Sequence, residues 1–124
     1  MVNVLISNTD DHLRNHGFLY EGPKGWRLSP AYDMNPVPVD VRPRVLSTAI
    51  DPDDPSASID LAFAAAEYFG LNDKEARKIA ASVAAAVSGW RQEAKKAGLS
   101  EAEITRMASA FEHEDLTKAL GKAA

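Results

Sequence analysis

The sequence predicts a mainly α domain with one small β-hairpin near its N-terminus. Three observations carry that prediction. From Ser58 onward, apolar residues recur at spacings of three and four between cap residues and glycines, as amphipathic helices require. Phe18-Leu19-Tyr20 and Trp26-Arg27-Leu28 are β-favouring triplets on either side of the turn Glu21-Gly22-Pro23-Lys24-Gly25. Between hairpin and helices, Pro36, Pro38, Pro43, Pro52 and Pro55 break any long helix.

A chain of 124 residues is one domain's worth, enough for a single modest core. It divides into a loop and hairpin (1–36), an irregular stretch (37–57) and a helical scaffold (58–124). The composition, 45% hydrophobic and 26% charged, is that of an ordinary globular protein. No apolar run approaches the roughly 20 residues of a membrane span, and no signal-peptide layout is present. The absence of cysteine excludes disulfides and thiolate zinc sites and fits a cytoplasmic protein. A net charge of −4 argues against a broad nucleic-acid-binding face. Met1-Val2-Asn3 runs straight into a polar, catalytic-looking loop, so a fragment of a longer enzyme is expected.

Taken in order, Val4-Leu5-Ile6 reads as a short buried strand by its apolar run, although three residues do not separate strand from helical turn. Residues 7–16 hold two Asn, two Asp and two His and read as loop. The hairpin follows. Partners in an antiparallel pair have residue numbers of constant sum, and a turn centred on Pro23 sets that sum near 46. Asn15 and Asp33 therefore emerge together at the open end. Val45–Ile50 is a candidate for one more short strand. Asp51-Pro52-Asp53-Asp54-Pro55 is read as a solvated acidic loop, because it lacks the glycine and distal glutamate of a calcium-binding loop.

Ser58 or Asp60 caps a helix over about 60–69, which Gly70 stops. Asn72 and Glu75 form a capping-box variant that opens a helix over about 73–97, with Ala76, Ile79, Val83, Val87, Trp90 and Ala94 as its buried stripe. Gly98 ends it. Ser100-x-x-Glu103 is a cleaner capping box, opening a helix whose core stripe is Ile104, Met107, Ala108 and Phe111. Leu116 and Leu120 extend the pattern into a short final helix, and the tail from Lys118 to Ala124 is expected to fray. Trp90 is assigned to the core, Tyr32 and Trp26 to packing, and His113-Glu114-Asp115 to solvated surface.

The chemistry concentrates at the N-terminus. Asp10 and Asn15 form D-x-x-x-x-N, and Asp33 lies beyond the hairpin. This supplies a carboxylate able to take a proton, an amide oxygen for a hard cation and a second carboxylate for the same cation. Mg²⁺ favours such oxygen ligands and completes its shell from water and phosphate, and phosphoryl transfer needs these parts. Alone, D-x-x-x-x-N is a weak signal, and for Asp10 and Asp11 a turn or cap role is the ordinary alternative. Asp11 is read as structural. His12 and His16 lack the third ligand of a zinc site and are read as hydrogen-bonding residues. Arg14 is equally a phosphate-facing charge or a solvated one.

Ser7-Asn8-Thr9-Asp10-Asp11-His12-Leu13-Arg14-Asn15 together with Leu28-Ser29-Pro30-Ala31-Tyr32-Asp33 resembles the HipA-like serine/threonine protein kinases, the toxins of bacterial toxin–antitoxin pairs. Ala57–Leu61 and Ala66–Leu71 are similar to the helical C-terminal region of that family. The resemblance implies the C-terminal helical lobe of a protein-kinase-like fold. It implies Asp10 as catalytic base, Asn15 and Asp33 as Mg²⁺ ligands, and His12 as a residue that shapes the loop. ATP and Mg²⁺ are the implied cofactors of the full-length protein. A protein Ser or Thr is the implied substrate, and a helix-turn-helix antitoxin the implied partner, with DNA reached only through it. No residues match the family's phosphate-covering loop and nucleotide-binding lysine, so the isolated chain is expected to be inactive. Two readings from other classes stand beside this one: a non-catalytic helical interaction module, and a small metal-dependent phosphoesterase.

Overall fold

Caps written into the sequence place the helices. Ser58 Oγ accepts the backbone N–H groups of Asp60 and Leu61 and opens α2, Ile59–Ala64. Asn72 and Glu75 cap each other's backbone at 2.9 and 3.0 Å and open α3, Asp73–Ser88. Ser100 and Glu103 do the same for α5, Glu101–Phe111. A short α6 follows, Glu114–Ala119. A computed structural model gives the structure of residues 1–121, so the frayed end expected beyond Gly121 lies outside the described residues. Within them, Lys118 and Ala119 are part of α6, and Lys118 Nζ is held 2.7 Å from Asp60.

The long helix expected over 73–97 is two helices, α3 and then α4, Trp90–Lys96, joined at Gly89. Glycine contributes nothing to helix propensity, and the turn there tightens, with Gly89 N–H donating to Ala86 O at 3.2 Å. Similarly, the helix expected over 60–69 is α2 followed by a 3-10 turn, Ala66–Phe69, which Gly70 closes with φ of +71°. The buried line on α3 is Ala76, Ala80 and Ala84, while Ile79 is 42% exposed. Small side chains let α3 approach α1, α2 and α6 closely, and Ala76, Val83 and Val87 of the expected stripe do face the core. Trp90 is half-buried and stacks on Phe111 at 4.4 Å.

Val4-Leu5-Ile6 is not a strand. Val4 and Leu5 belong to α1, Val2–Leu5, and Ile6 caps its end; Leu5 and Ile6 donate to the carbonyls of Met1 and Val2 at 3.1 and 3.0 Å. Val4 and Leu5 are both buried, which a wedge between α3 and α6 permits and an alternating strand does not. Leu46, Ala57, Ile59, Ala80, Ala84 and Ala119 complete the central cluster. Val45–Ile50 makes no strand either, only a single bridge between Val45 and Ser56.

The hairpin forms as the turn predicts. β1, Phe18–Tyr20, pairs antiparallel with β2, Trp26–Leu28, in the register Phe18–Leu28, Leu19–Arg27 and Tyr20–Trp26, so every pair sums to 46. Both faces are exposed. Trp26, assigned to packing from the sequence, packs on Tyr20 across the hairpin at 5.1 Å and is 68% exposed.

Of His113-Glu114-Asp115, only Glu114 is solvated surface as expected. Asp115 is buried; one oxygen accepts Arg44 Nη1 at 2.6 Å and the other accepts the Ile59 N–H at 2.7 Å. Arg44 Nη2 continues to the Val4 carbonyl at 2.8 Å. One carboxylate thus ties α6 to the irregular stretch, the start of α2 and α1. His113 lies beside it, with neither ring nitrogen hydrogen-bonded. Burial pushes its pKa down from 6.5, and the Arg44 guanidinium adds to the shift.

Asp115→Ala should cost about 3 kcal/mol or more in urea unfolding, because it leaves Arg44 and the Ile59 N–H buried without a partner. Replacing Arg44 and Asp115 together by apolar residues should cost less than the sum of the single changes. His113 sets a pH dependence. The unfolded chain protonates it near 6.5 and the folded chain only at lower pH. Stability should therefore fall as pH drops through 6.5, and His113→Phe should flatten that fall in thermal melts at pH 5 to 8.

Candidate functional site

The hairpin register delivers the site. Below β1 and β2, Ser29 N–H donates to Gly17 O at 2.8 Å and prolongs the pairing by one step. Tyr32 Oη then donates to the Arg14 carbonyl at 2.9 Å. Asn15 Nδ2 donates to Asp33 Oδ2 at 2.8 Å. The two residues placed together by counting from Pro23 are in direct contact.

Each is held from a second side. Asn15 is buried and ends the 3-10 turn Leu13–Asn15; its Oδ1 accepts the His12 N–H at 3.0 Å. The amide is thereby oriented: oxygen toward the loop backbone, nitrogen toward Asp33. Asp33 Oδ1 accepts Asn35 Nδ2 at 2.7 Å. Asp33 also sits at φ of +57°, a left-handed conformation that a non-glycine residue keeps only when its surroundings fix it. The two Asn bonds are what fix it here.

The loop that carries Asp10 is buried at its base. Ser7, Asn8 and Thr9 are almost fully enclosed, with Ser7 at φ of +52°. Asn8 is bound to Asn3 through backbone and side chain at 2.9 and 3.0 Å. From the irregular stretch, Ser47 binds the Thr9 carbonyl through N–H and Oγ, and Thr48 Oγ1 donates to the Asp11 carbonyl at 2.7 Å. Asp10 emerges from this clamp with an exposed side chain. It makes no hydrogen bond to Asn15 or Asp33; its partner is the Arg42 guanidinium, 3.2 Å from Oδ1.

The neighbouring residues divide by role. Asp11 pairs with His16 Nε2 at 3.0 Å, so both are occupied with each other. His12 contributes its backbone to the Asn15 amide, and its Nδ1 is buried without a partner. The Arg14 side chain is exposed. Among the described residues, no three His, Cys, Asp or Glu side chains gather as a metal cluster. Sequence reasoning missed Asn35 and Arg42. Asn35 stands two residues after Asp33, the span over which an Asx residue reaches back to its neighbours. Arg42 left no signal in a proline-broken stretch.

Two concavities flank the loop. One, of about 300 Å³, is lined by Asn15, His16, Ser29 and Tyr32 among others. The other, of about 590 Å³, is mainly apolar and lies between α1, α2 and α3, with Val2, Ile50, Ala65, Phe69 and Leu71 in its walls.

Asn15→Ala should cost about 1–2 kcal/mol in urea unfolding, since both the His12 N–H and Asp33 lose a partner. Tyr32→Phe, which removes one exposed bond to the Arg14 carbonyl, should cost less than about 1 kcal/mol.

A family model for the HipA-like C-terminal domain matches residues 1–90, a span that holds the whole site and ends where α3 gives way to α4. No curated protein and no solved structure matches the chain. The chain belongs to the HipA-like C-terminal domain family.

Proposed function

We propose that this domain carries the base and metal-binding side of a phosphoryl-transfer site. In a full-length kinase it would serve transfer of the γ-phosphoryl of ATP to a Ser or Thr hydroxyl of a protein. The observation that supports this most is the Asn15–Asp33 contact at 2.8 Å, beside a clamped loop that exposes Asp10. Asp10 takes the hydroxyl proton. The hydroxyl oxygen bonds to the γ-phosphorus as the bond to the departing ADP oxygen breaks with its electron pair.

The donor chemistry of the pair fits Mg²⁺. Both residues offer hard oxygens: the Asn15 carbonyl keeps a lone pair beyond the one given to His12, and Asp33 brings a carboxylate. Asn15 Oδ1 and Asp33 would hold the ion once the Asn15 amide gives up its Nδ2 bond to Asp33 and turns its oxygen toward the carboxylate. Bound there, Mg²⁺ supplies positive charge against the phosphate oxygens. The role left to the protein is positioning, which the Asn35 bond and the left-handed backbone at Asp33 serve.

A second reading is favoured by a separate observation. Phe18, Tyr20, Trp26 and Leu28 are all more than half exposed, and the apolar groove beside α2 is open. Surfaces of this kind bind protein partners, and a helix-turn-helix antitoxin that carries the DNA contact is the partner proposed. An interaction module without chemistry would use the same surfaces.

The two readings separate in a titration of the chain with Mg²⁺ followed by NMR. The kinase-derived reading expects the Asn15 and Asp33 resonances to shift with millimolar affinity, and Asp33→Asn to abolish the shift. Movement confined to other residues would leave the interaction module. In a full-length kinase carrying this domain, Asp10→Asn should lower kcat by about 10²–10⁴-fold, the usual contribution of a positioned base.

A further inference from the structure

Arg42 is placed with more care than a surface arginine requires. The turn that carries it is closed by the Val41 and Arg42 N–H groups donating to the Pro38 carbonyl at 3.0 and 3.2 Å. Pro38 is buried. The turn also touches α5 at two exposed contacts, Arg106 Nη1 on Asp40 at 2.8 Å and the Val39 N–H on Ser109 Oγ at 3.2 Å. The backbone under Arg42 is therefore shaped by its own turn and positioned against α5, with Asp40 and Arg106 standing 66 residues apart in the chain. The head of the side chain is not fixed in the same way. It is 48% exposed, and its only ion pair among the described residues is with Asp10, itself 63% exposed.

An ion pair this open is worth about 0–1 kcal/mol. A guanidinium has five N–H donors and prefers a planar, bidentate anion, and a phosphate group offers it more charge and more acceptors than one carboxylate. Arg42 can thus exchange Asp10 for phosphate at small cost. We propose that Arg42 is a positioning residue of the site: it holds Asp10 when the site is empty and turns to a phosphate group when one arrives, leaving Asp10 free to take a proton. The inference rests on the kinase-derived reading of Asp10. No bond forms or breaks in the exchange. Asp10, Asp11 and Asp33 oppose an anion on this surface, so the guanidinium and the metal together offset their charge.

The test uses the 124-residue chain and two phosphate probes in the presence of Mg²⁺: inorganic tripolyphosphate, for a nucleotide's polyphosphate, and O-phosphoserine, for a phosphorylated product. Both are followed at the Arg42 Nε–Hε and Asp10 backbone resonances. The expected result is a shift at both residues with at least one probe. The tighter probe identifies the source of the phosphate. Arg42→Gln should weaken that binding by about tenfold, and Arg42→Lys should restore part of it. Arg106→Ala, which loosens the turn without touching the guanidinium, should weaken it by about two- to threefold. Because Arg42 is exposed, unchanged spectra of α3 and α5 will show that the variants fold. The inference is overturned if neither probe moves the Arg42 resonance, or if Arg42→Gln binds as tightly as the parent chain. Mg²⁺ alone, titrated at Asn15 and Asp33, separates the two levels. Metal binding without a phosphate response at Arg42 sinks the inference and spares the reading beneath it. A response at Arg42 without metal at Asn15 and Asp33 sinks the reading itself.

Discussion

The fold turns on one buried carboxylate. Asp115 of α6 accepts from Arg44 in the irregular stretch and from the first N–H of α2, while Arg44 passes on to the Val4 carbonyl of α1. Four segments that also share the central apolar cluster meet at this point. Buried ion pairs add little net stability compared with an apolar replacement, because desolvation cancels most of the attraction. Their strength is directional. An apolar cluster of alanines, valines and leucines accepts several arrangements; a carboxylate with both oxygens assigned accepts far fewer. The central cluster here is alanine-rich, so the burial of greasy surface leaves more of the specification to polar contacts than a Leu- and Phe-filled core would.

That constraint reaches the site by a short route. α1 leads directly into Ser7, Asn8 and Thr9, and the segment after Arg44 turns back to bind the carbonyls of Thr9 and Asp11. The loop that presents Asp10 is thus held at its root by α1 and along its length by the strip that Arg44 anchors. The candidate site divides into two halves with different supports. Asp10 depends on this long-range frame. Asn15 and Asp33 depend on the hairpin, a local structure that needs no distant contact to set its register.

The difference explains what was legible in the sequence. The hairpin, its register and the Asn15–Asp33 contact follow from a turn and a count, since all the information lies within 19 residues. The helix caps at Ser58, Asn72 and Ser100 were legible for the same reason. What could not be read depended on distant partners. Asp115 looks like surface until Arg44, 71 positions away, is brought against it. Val4-Leu5-Ile6 has no period of its own, and only its place between α3 and α6 makes it helical. The choice between Ile79 and Ala80 as the inward face of α3 depended on how near α1 and α6 come. Trp26 packs as expected, on Tyr20 across the hairpin, but nothing in a three-residue strand says that no second layer covers the pair.

The exposed hairpin raises its own physical question, and the site answers it. A two-stranded ribbon of three-residue strands, solvated on both faces, is marginal in water. Its turn end is tightened by Glu21, which accepts Arg27 Nε through its carboxylate while its N–H donates to the Gly25 carbonyl. Its open end is tightened by Ser29 on Gly17, Tyr32 on Arg14 and Asn15 on Asp33. The last of these is also the candidate metal pair. Site and ribbon therefore stabilise each other, and a charge change at Asp33 is a change in the ribbon's closure. Because it is the Asn15 Nδ2 that faces Asp33, anything that draws the Asp33 carboxylate away from that amide also loosens the closure of the ribbon. The apolar face of the hairpin and the oxygen donors beneath it are parts of one mechanical unit, coupled through a contact of 2.8 Å.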